Sequence, residues 1–127
     1  MMQIRALVGD GAQACGPDTS LREAAIEMQK HDIGSLAVIG NGEMLGILTE
    51  RDILRAVAKH ADLDTAPVRD LMTSQPDSVA PDVESVEAAR WMLATGYRHL
   101  PVIEDGKLLG IASIKDLLWA ITPVDED

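Results

Sequence analysis

Shifted by 64 residues, the chain lies over itself: Ile4 to Val57 falls on Val68 to Ile121 without a gap. PDTSLREAAIEM, Pro17 to Met28, lies over PDVESVEAARWM, Pro81 to Met92. SLAVIGNGEMLGILTERDIL, Ser35 to Leu54, lies over HLPVIEDGKLLGIASIKDLL, His99 to Leu118. Identical pairs include Arg5/Arg69, Leu7/Leu71, Glu23/Glu87, Ala24/Ala88, Met28/Met92, Gly46/Gly110 and Asp52/Asp116. A gapless match of this length is a duplication, and it obliges any fold to be built from two copies of one small unit. The copies span 1–61 and 68–122, joined by a linker at 62–67 and followed by a tail at 123–127. The stretch HADLDTAP, His60 to Pro67, mixes small, acidic and proline residues without periodicity, as connectors do.

Each copy carries the same element signals. Ser20 with Glu23 resembles a capping box, and Leu21, Ala24, Ala25 and Met28 follow the spacing of one buried helical face, which predicts a helix from Ser20 to His31. LAVI is too short for a helix and reads as a strand. Asn41-Gly42 is a two-residue hairpin signal, matched by Asp105-Gly106 in the second copy, and EMLGILT completes the hairpin. After Thr49, ERD opens a second helix with Ile53, Leu54, Val57 and Ala58 on its apolar side. The unit is therefore β-α-β-β-α with a short lead strand. A lone three-stranded sheet would leave an apolar face in water, so the expectation is an α/β (α+β) fold in which two copies pack sheet to sheet with pseudo-two-fold symmetry.

Composition excludes several function classes. At 46% apolar and 2% aromatic, with no Phe, the core must be aliphatic. A net charge of −10, from 21 acidic and 11 basic residues, repels nucleic acid and anionic membrane surfaces, although a few converging bases still suffice for a small phosphate ligand. Cys15 is the single cysteine, which removes an intrachain disulfide. No run of ~18 apolar residues suits a bilayer span, and no secretory leader is apparent, so a cytoplasmic address is expected. His31, His60 and His99 lack ligand spacing and no C-x-x-C occurs, which argues against a metal site. Gly9-Asp-Gly11 fits neither phosphate-loop pattern and reads as a turn. No nucleophile has a supporting motif, so no catalysis is expected.

A duplicated β-α-β-β-α unit whose second hairpin strand runs into Gly46-Ile-Leu-Thr-Glu-Arg-Asp52, and again into Gly110-Ile-Ala-Ser-Ile-Lys-Asp116, resembles a tandem cystathionine β-synthase (CBS) domain pair. The physical sense of the motif is independent of that resemblance. Thr49 closes a strand and Asp52 lies in the first turn of the next helix, where N–H groups and the helix dipole favour a phosphate and an ionised Asp can accept from ribose hydroxyls. Ser113 and Asp116 repeat this. Thr49 and Ser113 equally suit plain helix N-caps, with the Asp residues complementing the dipole.

The resemblance implies a regulatory module that binds an adenine nucleotide (AMP, ADP, ATP or S-adenosylmethionine) in the cleft between the repeats, requires no cofactor, and acts on an effector protein. It implies that Arg98 and His99, before Leu100-Pro101-Val102, reach the ligand phosphates, with Arg51 and Lys115 as further cations. Cys15, Gly16, Val79 and Ala80 are implied as adenine lining. The first copy has Gly34-Ser35 where the second has Arg98-His99, so positive charge is lopsided. The competing expectation is a ligand-free dimerisation or protein-interaction module. The alignment also replaces Arg22, Glu27, Gln29 and Arg55 by Val86, Trp91, Leu93 and Trp119. Apolar surface at those places points to a homodimer through the helices of the second copy, or to a cover over the chain's own first copy.

Overall fold

The computed structural model describes residues 2–8 and 11–121. The tail at 123–127, and part of the Gly9-Asp-Gly11 turn, lie outside the described residues. The elements run 3-10 turn Ile4–Leu7, β1 Ala14–Cys15, α1 Leu21–His31, β2 Ser35–Gly40, β3 Glu43–Thr49, α2 Glu50–Ala58, 3-10 turn Val68–Asp70, β4 Thr73–Ser74, α3 Ser85–Thr95, β5 His99–Glu104, β6 Lys107–Ser113 and α4 Ile114–Ile121. The fold is α+β.

Local chemistry explains the boundaries. The Glu23 N–H donates to Ser20 Oγ at 3.1 Å, so α1 starts where an N-cap serine leaves it. Asp32 in the left-handed region ends α1, and Gly96 holds the equivalent place after α3. Asn41 and Gly42 have φ of 54° and 78°, and Asp105 and Gly106 have 50° and 79°. Two successive positive φ values give the turn whose twist matches a right-twisted hairpin, which is why both copies use Asn or Asp followed by Gly.

Two compact units result: residues 13–76, and residues 77–121 together with the N-terminal segment up to Ala12. The sheet of the first is ordered β1-β2-β3-β4, with β1 parallel to β2 and the rest antiparallel. Its fourth strand comes from the stretch that opens the second copy in sequence. The second unit pairs β5 with β6, and Val79 bridges Val102 in parallel, at the places of Cys15 and Val38.

The compact unit is therefore offset from the sequence repeat. Val68 lies fully buried among Leu21, Ala24, Met28, Leu36, Val38, Leu48 and Ala56. Ile4, its counterpart, lies fully buried among Ala88, Ala89, Met92, Leu100, Val102, Ala112 and Leu117. Backbone bonds hold each in the same way: Val68 N–H to Thr19 O at 2.8 Å and Arg69 N–H to Pro17 O at 3.1 Å, against Ile4 N–H to Val83 O at 2.8 Å and Arg5 N–H to Pro81 O at 3.1 Å. A Cβ on Gly46 would sit 2.5 Å from Thr73 O, and one on Gly110 would sit 2.8 Å from Val8 Cβ. Glycine is needed at both because the lead segment crosses the hairpin there in contact.

One expectation fails. The face of α2 turned to the core consists of buried Asp52 and Ala56 with half-buried Ile53, whereas Leu54, Val57 and Ala58 are exposed. The leucine points outward in both units, since Leu118, the counterpart of Leu54, is exposed as well. Since Ile4 closes the second unit's core, Ile4→Ala should lower stability by about 2–5 kcal/mol, the usual cost of emptying such a site. Denaturant melts followed by circular dichroism will show the shift in midpoint.

Candidate functional site

Each copy of the motif sits where a hairpin's second strand turns into a helix. In the first unit Ser35 is paired with Thr49 across β2 and β3, and the Glu50 N–H donates to Gly34 O at 3.0 Å. In the second unit His99 is paired with Ser113, and the Ile114 N–H donates to Arg98 O at 2.8 Å. The backbone frames thus coincide. The first N–H of each helix is already bonded to the facing strand, which removes one of the donors that sequence reasoning assigned to a phosphate.

The side chains differ. Asp52 is only 4% exposed. Its Oδ2 accepts the Thr49 N–H at 2.8 Å and the Thr49 hydroxyl at 3.1 Å, and its Oδ1 lies 3.5 Å from the Arg55 guanidinium. Thr49 and Asp52 therefore form a closed helix cap with an ion pair on its outer side. Asp116 is exposed, and its backbone N–H donates to Ser113 Oγ at 3.1 Å. No hydrogen bond to its carboxylate is present among the described residues. Arg55 was missed as a site residue by the sequence reading, although its i,i+3 spacing from Asp52 is the signal for such a pair.

Of the basic candidates, Arg51, Lys115 and Arg98 are exposed and His99 is half-buried. Arg98, His99, Ser113, Lys115 and Asp116 come together at one end of the β5–β6 hairpin, because His99 faces Ser113 in register. Thr49, Arg51 and Asp52 occupy the same end of β2–β3. Cys15 lies beside Val38, three residues along β2 from Ser35, and packs against the core, where burial pushes its thiol above the ordinary range. Gly16 follows it, its N–H donating to Thr19 Oγ1 at 3.2 Å. Val79 is tied into the second unit by N–H donation to Pro101 O at 3.0 Å and by accepting the Ile103 N–H at 2.9 Å, while Ala80 is exposed. Among the described residues no cluster of His, Cys, Asp or Glu is placed to hold a metal ion, and no helix is long and apolar enough to cross a membrane.

Comparison with known proteins decides the family. The CBS domain model matches twice, over residues 5–59 and 68–123. The chain belongs to the CBS domain family. An uncharacterised 17.7 kDa protein of Acidianus ambivalens is 46% identical over 85% of the chain, and this chain spans 66% of that relative's length. A relative from Methanopyrus kandleri is 36% identical over 87% of the chain, which spans 60% of it. Among solved structures, the CBS-domain protein ATU1752 from Agrobacterium tumefaciens is 33% identical with a TM-score of 0.87, covering 94% of this chain and 98% of that one. The CBS domain protein PAE2072 from Pyrobaculum aerophilum, solved in complex with AMP, is 29% identical with a TM-score of 0.82, covering 91% and 89%.

Because Asp52 is built into the fold and Asp116 is not, their removal should separate. Asp52→Ala should lose about 1 kcal/mol of stability or more through the broken cap, whereas Asp116→Ala should melt close to the parent. Paired thermal and urea melts test this; equal losses would contradict the difference in capping.

Proposed function

We propose that this CBS pair is a regulatory ligand-sensing module that binds an adenine nucleotide and passes the binding event to an effector protein. The observation that carries the reading is the cluster of Arg98, His99, Ser113, Lys115 and Asp116 at one hairpin end. It offers cations for a phosphate, a hydroxyl for hydrogen bonding and an open carboxylate for ribose hydroxyls, which together are the donors and acceptors of a nucleoside phosphate. The AMP complex of the Pyrobaculum relative supports the ligand class.

Calorimetry with AMP, ATP and S-adenosylmethionine tests this directly. A ligand at about a hundred times its Kd should add about 2.7 kcal/mol to folding stability, seen as a rising melting temperature. No binding by any of the three, and no nucleotide in the denatured supernatant of freshly purified protein, would overturn the reading in favour of a ligand-free interaction module.

We also propose that the chain pairs with a second copy through α3 and α4. Trp119 is 81% exposed and Leu93 66% exposed, beside half-buried Val86 and Trp91. Trp91 packs against its own unit's core and meets Tyr97 edge to face at 5.6 Å, so it braces the face rather than leading it. The first unit provides an internal control. There Arg22 pairs with Asp64, Glu27 lies 3.3 Å from the His31 imidazole, and Arg55 pairs with Asp52, so the equivalent places are solvated even though Ile26, Leu54 and Val57 are exposed nearby. The unit thus folds without apolar side chains at these positions. Glu87, Arg90, Lys115 and Asp116 leave α3 and α4 formally neutral in a chain of net charge −10, so like can meet like there without local repulsion. Light scattering should report a dimer, and Leu93→Glu with Trp119→Glu a folded monomer; a monomeric parent at high concentration would end the proposal.

A further inference from the structure

We infer that the two motif copies are not equivalent sites: the one around Ser113 and Asp116 takes the phosphate-bearing nucleotide, and the one around Thr49 and Asp52 does not take it at comparable affinity. The inference rests on the nucleotide reading above. Two differences between the copies, set against the charge of the whole chain, lead to it.

The first is the state of the carboxylate. Asp52 is buried, and its Oδ2 is held by the Thr49 N–H and hydroxyl. A ribose could engage it only by displacing the cap that starts α2. Asp116 carries no such commitment, because in its unit the cap runs the other way, from the Asp116 N–H to Ser113 Oγ. The same pair of residue positions is used once to close a helix and once with the carboxylate left in solvent.

The second difference is cationic. The strand facing Ser113 carries Arg98 and His99, whereas the strand facing Thr49 carries Gly34 and Ser35, the latter buried. Lys115 and Arg51 are equivalent and cancel. The remaining base of the first copy, Arg55, lies against Asp52 at 3.5 Å, so its charge is already balanced. Both copies share the background field: with a net charge of −10, the chain repels a nucleoside monophosphate, whose phosphate carries about −1.5 to −2 near neutral pH. Beyond the shared position, the exposed Arg98 is the cation that the second copy alone adds, where the first has Gly34.

Calorimetry with AMP and with adenosine on the whole chain tests the assignment. The parent should bind AMP at one site per chain. Asp116→Ala and Arg98→Ala should each weaken AMP about tenfold to a hundredfold. Arg98→Ala should leave adenosine within about twofold, because adenosine brings no phosphate to that cation. Asp52→Asn, which keeps an oxygen for the Thr49 N–H, should leave AMP affinity unchanged, with circular dichroism confirming its fold. Backbone amide spectra of the unaltered protein provide a readout that needs no variant: AMP should first shift Ser113 to Leu117, not Thr49 to Ile53. An equal or larger loss with Asp52→Asn, or first shifts at Thr49 to Ile53, would overturn the inference while leaving nucleotide binding intact. Failure of the parent to bind either AMP or adenosine would remove the functional reading itself and this inference with it.

Discussion

Each compact unit depends on an apolar side chain delivered from outside its own stretch of helices and strands: Val68 in the first, Ile4 in the second. Both are fully buried, both are backed by two backbone hydrogen bonds to the segment before a helix, and both lead into a stretch that lies against a glycine of the hairpin. A hairpin with two short helices buries too little apolar surface to stand alone. The lead segment supplies the missing part of the core. It also makes the second unit discontinuous in sequence, so the N-terminal residues up to Ala12 share a fate with residues 77–121 and not with the copy they precede.

Much of this was legible before any coordinates. The 64-residue offset, the Asn41-Gly42 and Asp105-Gly106 turns, the Ser20 cap and the alternation of helix and hairpin are all local signals, and they read correctly because propensity, capping and turn chemistry act within a few residues. The placement of Val68 and Ile4 was not legible. Their patterns announce only that they are apolar and followed by a turn, and nothing within reach of a short window says which core receives them. The same limit hid the inner face of α2. Hydrophobicity favoured Leu54, Val57 and Ala58, but Asp52 and Ala56 take the buried positions, and Leu118, the counterpart of Leu54, is exposed in the second unit too.

For the candidate site, sequence names residue types but not the state each side chain is in. Sequence places Thr49 and Asp52 in register with Ser113 and Asp116, and it locates Arg98 and His99 in one copy alone. It does not tell a cap from a contact, since a serine or threonine three residues before an aspartate serves both. The acceptor of the hydrogen bond is the distinguishing fact: in one copy the Asp52 carboxylate accepts a backbone N–H, and in the other the Ser113 hydroxyl accepts one.

Duplication allows this division. In a single unit one carboxylate would have to close its helix and receive a ligand, and those tasks compete, because every hydrogen bond given to the backbone is one withheld from the ribose. With two units, the first keeps its aspartate in the cap, with Arg55 outside it, and gains a helix start that does not depend on ligand. The second leaves its aspartate in solvent near the exposed Arg98 and Lys115. Under the proposed function, a ligand would act mainly on the unit whose helix start is less complete, and by linkage the stabilisation would be concentrated there. That unit also carries the exposed Trp119 and Leu93, on the helix that begins at Ile114 and on its neighbour. If the proposed ligand sits at the start of α4 and the proposed pairing runs along α4, both bear on one short helix, which would couple a small molecule to an interaction surface.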